Sequence, residues 1–498
     1  MNLIDILAPL RAHGGQRTIG LDDATILDFA GRHPELREAI TAASDAYAAV
    51  KADFPDLLDL DENAQIARVQ GGFLNFYAAD AVNPYVALVA RGPWVVTLKG
   101  AVLNDSGGYG MLGLGHVPQD VLDAMAKPQV LANIMTPNVA QLRFDNAMRK
   151  EIGQTRDGCP YVSFMCLNSG SESVSLASRI VDANAKTMTD PGARHAGKEI
   201  HRVVVKGSFH GRTDKPALYS DSSRKTYVQY LASYRGEHSV ITIEPYDVTA
   251  LRQAFADAER NGWFIEAVYL EPVMGEGDPG RSLPRDFYDA VRTLTRDHGS
   301  MMLIDSIQAG LRATGYLSIV DYPGFENADA PDMETYSKAL NAGQFPLSVL
   351  AAGERATQAY KRGLYGNTMT ANPRALDVAC TVLRSLTPQL RNNIRERGKQ
   401  ALAKLEALKS ETGLITKVQG TGLLFSCELA AGFKGYGVGS TEEWLRERGI
   451  GVIHGGANSL RFTPRFAMQE DELDLIVAMV KRSLLEGPRE VQVQDKAA

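Results

Sequence analysis

The segment M-M-L-I-D-S-I-Q-A-G at residues 301–310 places a short apolar run directly before Asp305 and Gln308. Runs of this length that end in a polar or glycine-rich turn predict buried strands. Amphipathic, helix-like stretches such as Leu283 to His298 separate most of these runs, which indicates β-α units and a mostly parallel sheet with helices on both faces. The other four runs lie at residues 162–167, 203–205, 267–270 and 333–336.

Polar or small residues follow each run, at the strand ends where α/β sheets bind ligands. Taken singly they have ordinary roles, since a serine often caps a helix and a lysine is usually a solvated surface residue. Together they supply what pyridoxal 5′-phosphate requires: a lysine for its aldehyde, a carboxylate for its ring nitrogen, a phosphate cradle and an aromatic face. The residues are Asn168 to Ser171, Gly207 to Arg212, Glu271 with Pro272, Asp305, and Ser337 with Lys338.

Six motifs stand in the sequence in this order: N-S-G-S-E-S-V at 168–174, F-H-G-R-T at 209–213, E-P-V-M-G-E-G at 271–277, L-I-D-S-I-Q-A-G at 303–310, Y-S-K-A-L at 336–340 and G-N-T-M-T-A-N-P at 366–373. In this order they resemble those of the class III, or ornithine/ω-amino acid type, aminotransferases of pyridoxal phosphate fold type I. The resemblance covers about residues 93–480. It implies a large domain with a mostly parallel central sheet and a smaller α+β domain formed by the N- and C-terminal parts.

The resemblance implies an enzyme that moves an amino group from a small amine or ω-amino acid to a keto acid, with 2-oxoglutarate as the expected acceptor. Lys338 would be the catalytic lysine that forms the Schiff base, and Asp305 would pair with the ring nitrogen. The family's equivalent of Thr368 reaches the phosphate of the neighbouring subunit, which implies a homodimer with shared sites. The other expected cofactor contacts are Ser169, Gly170, Ser171, Phe209, His210 and Gln308.

Four residues are expected to bind the substrate by the same resemblance. Arg212 would bind the distal carboxylate of glutamate or 2-oxoglutarate, and Arg461 the α-carboxylate. The planar guanidinium suits carboxylates because it makes two parallel hydrogen bonds. Glu276 would pair with Arg461 when a terminal amine is bound, and Tyr109 would line the pocket. The alternative is that both arginines serve structural ion pairs alone.

Three departures from the family pattern concern the substrate pocket. Ser306 stands where the family has Glu in D-E-V-Q, Gln419 replaces the arginine of V-R-G, and T-P-R at 463–465 replaces an apolar P-P-L. An amino acid racemase, epimerase or decarboxylase therefore stays open as an alternative, because one cofactor constellation supports several reactions. A non-catalytic binding protein is a third hypothesis.

A formal G-x-G-x-x-G occurs at Gly108 to Gly113, but no helix starts directly on it because Pro118 intervenes. A dinucleotide site is therefore not predicted.

The net charge of −6 provides no basic field for nucleic acid. The four cysteines form no C-x-x-C pair, so no metal site or disulfide framework is expected. The most apolar span, residues 85–103, carries Arg91 and Lys99, so we expect no membrane partner and a cytoplasmic location.

The length of 498 residues exceeds what one core usually serves, so more than one domain is expected. Residues from about 20 to 70 have the pattern of acidic amphipathic helices, with Asp22 and Asp23 as cap candidates. A strand is predicted from Pro93 to Asn104, and short β segments near 416–427 and 450–463. The predicted division is an N-terminal helical extension at 1–92, the first part of the small domain at 93–130, the large cofactor-binding domain at 131–370, and the C-terminal small domain at 371–498.

Overall fold

The computed structural model describes residues 2–490 of the chain. Its α-helices in this range are α1 (Leu3–Arg11), α2 (Asp23–Arg32), α3 (Pro34–Asp53), α4 (Pro55–Leu58), α5 (Glu62–Gln70), α6 (Gln119–Ala126), α7 (Val139–Glu151), α8 (Gly170–Thr189), α9 (Asp214–Tyr219), α10 (Asp221–Tyr230), α11 (Val248–Asn261), α12 (Arg285–His298), α13 (Glu354–Ala359), α14 (Pro373–Ser385), α15 (Pro388–Thr412), α16 (Thr441–Glu447) and α17 (Glu470–Glu486). Its strands are β1 (Ala87–Arg91), β2 (Trp94–Thr97), β3 (Val102–Asp105), β4 (Ser163–Leu167), β5 (Glu199–Val205), β6 (Val240–Ile243), β7 (Trp263–Leu270), β8 (Met301–Asp305), β9 (Met333–Tyr336), β10 (Ser348–Ala352), β11 (Ile415–Thr421), β12 (Leu424–Leu429), β13 (Ile450–Gly451), β14 (Ile453–Gly455) and β15 (Ser459–Phe462).

A seven-stranded sheet with the order β4-β10-β9-β8-β7-β5-β6 forms the centre of one compact unit, residues 119–395 with 420–424. Strands β6, β5, β7, β8 and β9 run parallel, and β10 runs antiparallel between β9 and β4. All five predicted runs form strands, and the mostly parallel α/β sheet is confirmed. The sequence interpretation missed β6 and β10. Strand β10 is rich in alanine, which has a low strand propensity.

Helix α12 is the amphipathic segment predicted between two strands. Its residues Phe287, Tyr288 and Val291 are fully buried, and it ends at Gly299 with a left-handed φ of 82°. Glycine favours this C-terminal position because it has no Cβ to clash. The helix begins at Arg285 rather than at Leu283, since Pro284 takes the N-cap position.

The other compact unit comprises residues 2–118, 396–419 and 425–490. The predicted acidic helices are α2 to α5, and the Asp22 side chain caps α2 by accepting from the Thr25 N–H at 2.8 Å. Asp23 is the first helical residue and not a cap. The predicted single strand at 93–104 was wrong: β2 and β3 pair antiparallel across a turn in which Gly100 has a φ of 70°.

Lys99 attaches the N-terminal helices to the β2–β3 turn. Its side chain is buried, and Nζ donates to the backbone carbonyls of His13, Leu58 and Leu60 at 2.6, 2.9 and 2.6 Å. These are as many bonds as an ammonium group can donate. Gly14 fits beside it because any side chain there would meet Nζ: a Cβ would lie 2.4 Å away.

A second sheet with the order β11-β12-β15-β14 contains the β segments predicted near 416–427 and 450–463. Strand β13 instead joins β3 in parallel, with Ile450 opposite Asn104. The compact units change at residues 118 and 395, whereas the predicted boundaries lie at 130 and 370, and that domain division stays a prediction. Within residues 2–490, no helix has both the length and the apolar character that a bilayer requires.

Candidate active site

Lys338 is the second residue after β9, and its backbone is left-handed with a φ of 41°. Such strain in a non-glycine residue persists only where the surrounding contacts impose it. The side chains of Ser337 and Asn341 both donate to the Leu347 carbonyl, at 2.7 and 2.9 Å, and hold the turn on either side. The Lys338 Nζ atom lies 3.0 Å from Gln308 Oε1.

Asp305 ends β8, the neighbour of β9, so its side chain and Lys338 follow adjacent parallel strands at one edge of the sheet. The carboxylate is only 5% exposed. Its Oδ2 lies 2.9 Å from His210 Nδ1, and Oδ1 accepts from Thr335 Oγ1 at 3.2 Å and from the Ile307 N–H at 3.1 Å. Three partners on separate segments hold this negative charge in one orientation.

Glu271 connects the loop that carries Phe209 to the loop that carries Glu276. One carboxyl oxygen accepts from the Phe209 N–H at 2.9 Å and the other from the Gly275 N–H at 2.8 Å. The sequence placed Glu271 at a strand end but gave it no role, because the two N–H partners follow from the fold alone. Its position directly after an apolar strand was the available signal.

Burial raises the pKa of Glu271 to about 7, and the negative charge of Asp305 acts in the same direction. The positive charge available on His210 and the two backbone N–H bonds oppose this shift. The folded protein thus contains a carboxyl group that changes charge near neutral pH beneath the site.

Phe209 and Arg212 lie together on the loop after β5. The guanidinium carbon of Arg212 lies 5.3 Å from the centroid of the Phe209 ring, and its Nη1 donates to the Tyr227 hydroxyl at 3.4 Å. The predicted aromatic face and one predicted carboxylate-binding arginine are therefore immediate neighbours. Glu276 is half-buried in the same compact unit and accepts from Ser222 Oγ at 3.0 Å.

The N-terminus of α8 forms the predicted phosphate cradle. Ser169 caps the helix by accepting from the Glu172 N–H, and Glu172 accepts in return from the Ser169 N–H at 3.0 Å. The N–H groups of Gly170 and Ser171 lie in the first turn, where no intrahelical partner exists. Gly211 passes close to this turn, since a Cβ there would come within 2.3 Å of Ser171 Oγ.

The G-N-T-M-T turn lies beside the same helix. Asn367 Nδ2 donates to Glu172 Oε1 at 3.2 Å, and Asn133 Nδ2 donates to the Thr368 carbonyl at 3.0 Å. The Thr368 side chain itself is exposed. No contact from Thr368 to the α8 cradle of its own chain is present among residues 2–490, which leaves its hydroxyl accessible from outside.

Tyr109 and Arg461 belong to the other compact unit. Tyr109 has a left-handed φ of 48° within the glycine-rich turn, and its ring centroid lies 5.9 Å from that of Tyr77 in the N-terminal segment. Arg461 lies in β15, opposite Ser426 in β12 and Ile453 in β14, and is half-buried.

The T-P-R departure at 463–465 has a structural explanation. Thr463 Oγ1 donates to the Gly107 carbonyl at 2.6 Å and accepts from the Gly110 N–H at 3.2 Å, which fixes the turn around Tyr109. Arg465 is buried and pairs with Glu35 of α3 at 2.7 Å. This arginine thus belongs with the N-terminal segment, whereas nothing in the structure explains Gln419.

The residues of the larger unit fit pyridoxal 5′-phosphate. His210 Nε2 and Gln308 Nε2 are buried and make no hydrogen bond within residues 2–490, which makes them available to a bound group. A phosphate suits the α8 N-terminus. A ring nitrogen suits the buried Asp305 carboxylate, which favours its protonated form.

Comparisons with known proteins agree with this geometry. A family model described as Aminotransferase class-III matches residues 76–484. The acetylornithine aminotransferase of Xanthomonas axonopodis pv. citri is 30% identical over 374 residues, which span 74% of this chain and 85% of that protein. The acetylornithine aminotransferase of Neisseria meningitidis serogroup B is 29% identical, with 79% of this chain and 92% of that protein covered. The ornithine aminotransferase structure from Toxoplasma gondii ME49 has the same fold, with a TM-score of 0.72 at 23% identity, over 88% of this chain and 98% of that one.

Glu271 should make stability depend on pH. Its pKa is near 7 in the folded protein and near 4.5 when solvated, so the folded state binds the proton more tightly. The free energy of unfolding should therefore fall by up to about 3 kcal/mol as the pH rises from 4.5 to 7. Urea unfolding at pH 5 and pH 8 should show this slope, and Glu271→Gln should reduce it. The exposed Glu354→Gln is the matched control and should keep it, whereas an unchanged slope in Glu271→Gln would contradict the assignment.

Proposed function

The chain belongs to the class-III aminotransferase family and is a pyridoxal 5′-phosphate-dependent aminotransferase, and we propose that Lys338 and Asp305 carry out its chemistry with 2-oxoglutarate as amino acceptor. The observation that carries this proposal is the position of Lys338 beside Gln308, after the strand that neighbours the one ending in Asp305. Three hydrogen bonds hold the Asp305 carboxylate there. The alternative reactions, racemisation, epimerisation and decarboxylation, are not favoured because the matched relatives are aminotransferases.

When bound, pyridoxal phosphate supplies an aldehyde that takes up amino groups and a ring that accepts electrons from the adjacent substrate carbon. Lys338 Nζ removes a proton from that carbon as general base and returns one as general acid. Asp305 keeps a negative charge beside the ring nitrogen and favours its protonation. Gln308 Oε1 orients the lysine, and Phe209 provides an apolar face that excludes water from one side.

We propose that the acceptor is a dicarboxylate bound by Arg212 and Arg461. Arg212 supports this because its guanidinium carbon lies 5.3 Å from the centroid of the Phe209 ring, beside the predicted aromatic face. The donor class we propose is an ornithine-type ω-amino acid, which the names of the relatives support. Glu276 then pairs with one arginine while the terminal amine reacts, and Tyr109 lines the pocket.

We further propose a homodimer in which Thr368 of each subunit contacts the phosphate held by the other. A cavity of about 670 Å³, lined in part by Ile134, Phe164 and Asn367, opens beside the G-N-T-M-T turn. The segments 130–142 and 364–369, which contribute residues to its lining, expose eight apolar side chains, and exposed apolar clusters are typical of covered interfaces. These side chains are Val130, Leu131, Ile134, Met135, Val139, Leu142, Leu364 and Met369.

Lys338→Ala should abolish amino transfer, by at least about 10³-fold, because both covalent and acid–base functions are lost. Borohydride reduction followed by peptide mass mapping should find the cofactor mass on the Lys338 peptide of the wild type and on no peptide of the variant. Asp305→Ala should retain this attachment but slow amino transfer by about 10²-fold or more. The exposed Lys361→Ala is the control and should resemble the wild type. Persistent attachment and turnover in Lys338→Ala would refute the assignment.

Arg212→Lys should lower kcat/KM for 2-oxoglutarate by about 10²-fold, since lysine cannot form the two parallel bonds of a guanidinium. Reaction with a simple monoamine donor, measured as a single turnover without acceptor, should change little. Arg235→Lys, an exposed arginine of the same unit, is the control. Equal loss with donor and acceptor would instead assign Arg212 a structural role.

Met135→Asp should shift the dimer towards monomer, because a charge must be desolvated in the interface. Chromatography with light scattering measures the mass, and equilibrium dialysis should show weaker retention of the cofactor by the monomer. Leu485→Asp, at an exposed apolar residue of the other unit, is the control. A monomeric wild type with full cofactor retention would exclude the shared site.

A further inference from the structure

A second carboxyl group, that of Glu334, lies wholly buried in β9. Its Oε2 accepts from the Tyr161 hydroxyl at 2.6 Å and from Ser318 Oγ. Its Oε1 accepts from the Ile319 N–H at 2.9 Å and from Ser306 Oγ. Four donors on three other segments therefore converge on one side chain.

No lysine, arginine or histidine of residues 2–490 forms an ion pair with Glu334. A buried carboxylate without a cation depends entirely on its hydrogen bonds, and it costs more than an apolar side chain of the same volume. Glu334 therefore has no simple packing explanation at its position in the central sheet. Its effect is geometric, since each of its four donors loses a buried acceptor if the carboxyl group moves.

The donor Ser306 directly follows Asp305 in the chain, and Thr335 directly follows Glu334. In the parallel β8–β9 pair, Ile304 lies opposite Glu334 and Asp305 lies opposite Thr335. The Ser306 N–H donates to the Thr335 carbonyl at 3.0 Å, which extends the ladder past the strand end. Side chains alternate between the two faces of a strand. Asp305 is thus bonded to Thr335 on one face, and the residue after it is bonded to Glu334 on the other.

We propose that Glu334 is a positioning residue for Asp305, which it holds in register by fixing Ser306 and the 318–319 loop. The inference rests on the proposed role of Asp305 in amino transfer. Ser306 stands where the family's D-E-V-Q pattern has a glutamate. In this chain, the carboxyl group that contacts position 306 is that of Glu334 on the neighbouring strand. The pair Ser306 and Glu334 therefore fixes the peptide between Asp305 and Ile307 from below the sheet edge.

Two variants of the holoenzyme distinguish a positioning role of Glu334 towards Asp305 from a role in the stability of the fold alone. Ser306→Ala and Tyr161→Phe each remove one hydroxyl donor of the same carboxyl group, but only Ser306 adjoins Asp305. Both should lower the melting temperature by a few degrees. Ser306→Ala should slow the donor half-reaction on the order of ten-fold at unchanged KM, because small misplacements of catalytic groups cost rate. It should also change the visible circular dichroism of the bound cofactor, whereas Tyr161→Phe should stay within about two-fold of the wild-type rate.

A double-mutant cycle tests whether Ser306 acts through Glu334. The Ser306→Ala, Glu334→Gln double variant should be no slower than Glu334→Gln alone. Equal rates in Ser306→Ala and Tyr161→Phe, or a further loss in the double variant, would overturn the proposal. Asp305→Ala is measured alongside. If its half-reaction is as fast as that of the wild type, the proposed role of Asp305 itself is wrong. If Asp305→Ala is slow but Ser306→Ala is fast, only the positioning role of Glu334 is rejected.

Discussion

The buried carboxylate of Asp305 is the interaction on which the arrangement of the site depends. It stands at the end of β8, and its three partners come from the β9 strand, from the His210 loop and from its own following turn. The same strand pair sets the position of Lys338, and the same loop carries Phe209. One charged group, desolvated and held by three hydrogen bonds, thereby connects the strand that precedes the lysine to the loop that carries the aromatic face.

Close packing couples these residues to the substrate side. Gly275 lies against Gln308, since a Cβ at Gly275 would come within 2.5 Å of Gln308 Oε1. Glu271 holds Gly275 by its N–H group, and Gln308 in turn contacts the Lys338 ammonium. The segment that carries Glu276 therefore connects to Lys338 through Gly275 and Gln308.

Local patterns predicted much of this arrangement. The five apolar runs and the polar residues after them identified the sheet edge with Lys338 and Asp305, because strand ends follow directly from sequence. Gln308 was instead predicted from the family resemblance. The antiparallel β10, the β2–β3 turn and the bonds of Glu271 and Glu334 depend on partners distant in the chain, which composition and spacing do not encode. Arg465 illustrates the same limit, since its role follows from its ion pairs with Glu35 and Glu472.

The three carbonyl oxygens around Lys99 make the N-terminal segment and this single side chain depend on each other. Two of its acceptors, Leu58 and Leu60, lie beyond α3, and the third, His13, lies after α1. With the helices in place, a side chain at position 99 that cannot donate would leave three carbonyl oxygens without this donor, at a cost of about 1–3 kcal/mol each. The N-terminal helices and Lys99 therefore depend on each other, which makes the segment an integral part of its compact unit.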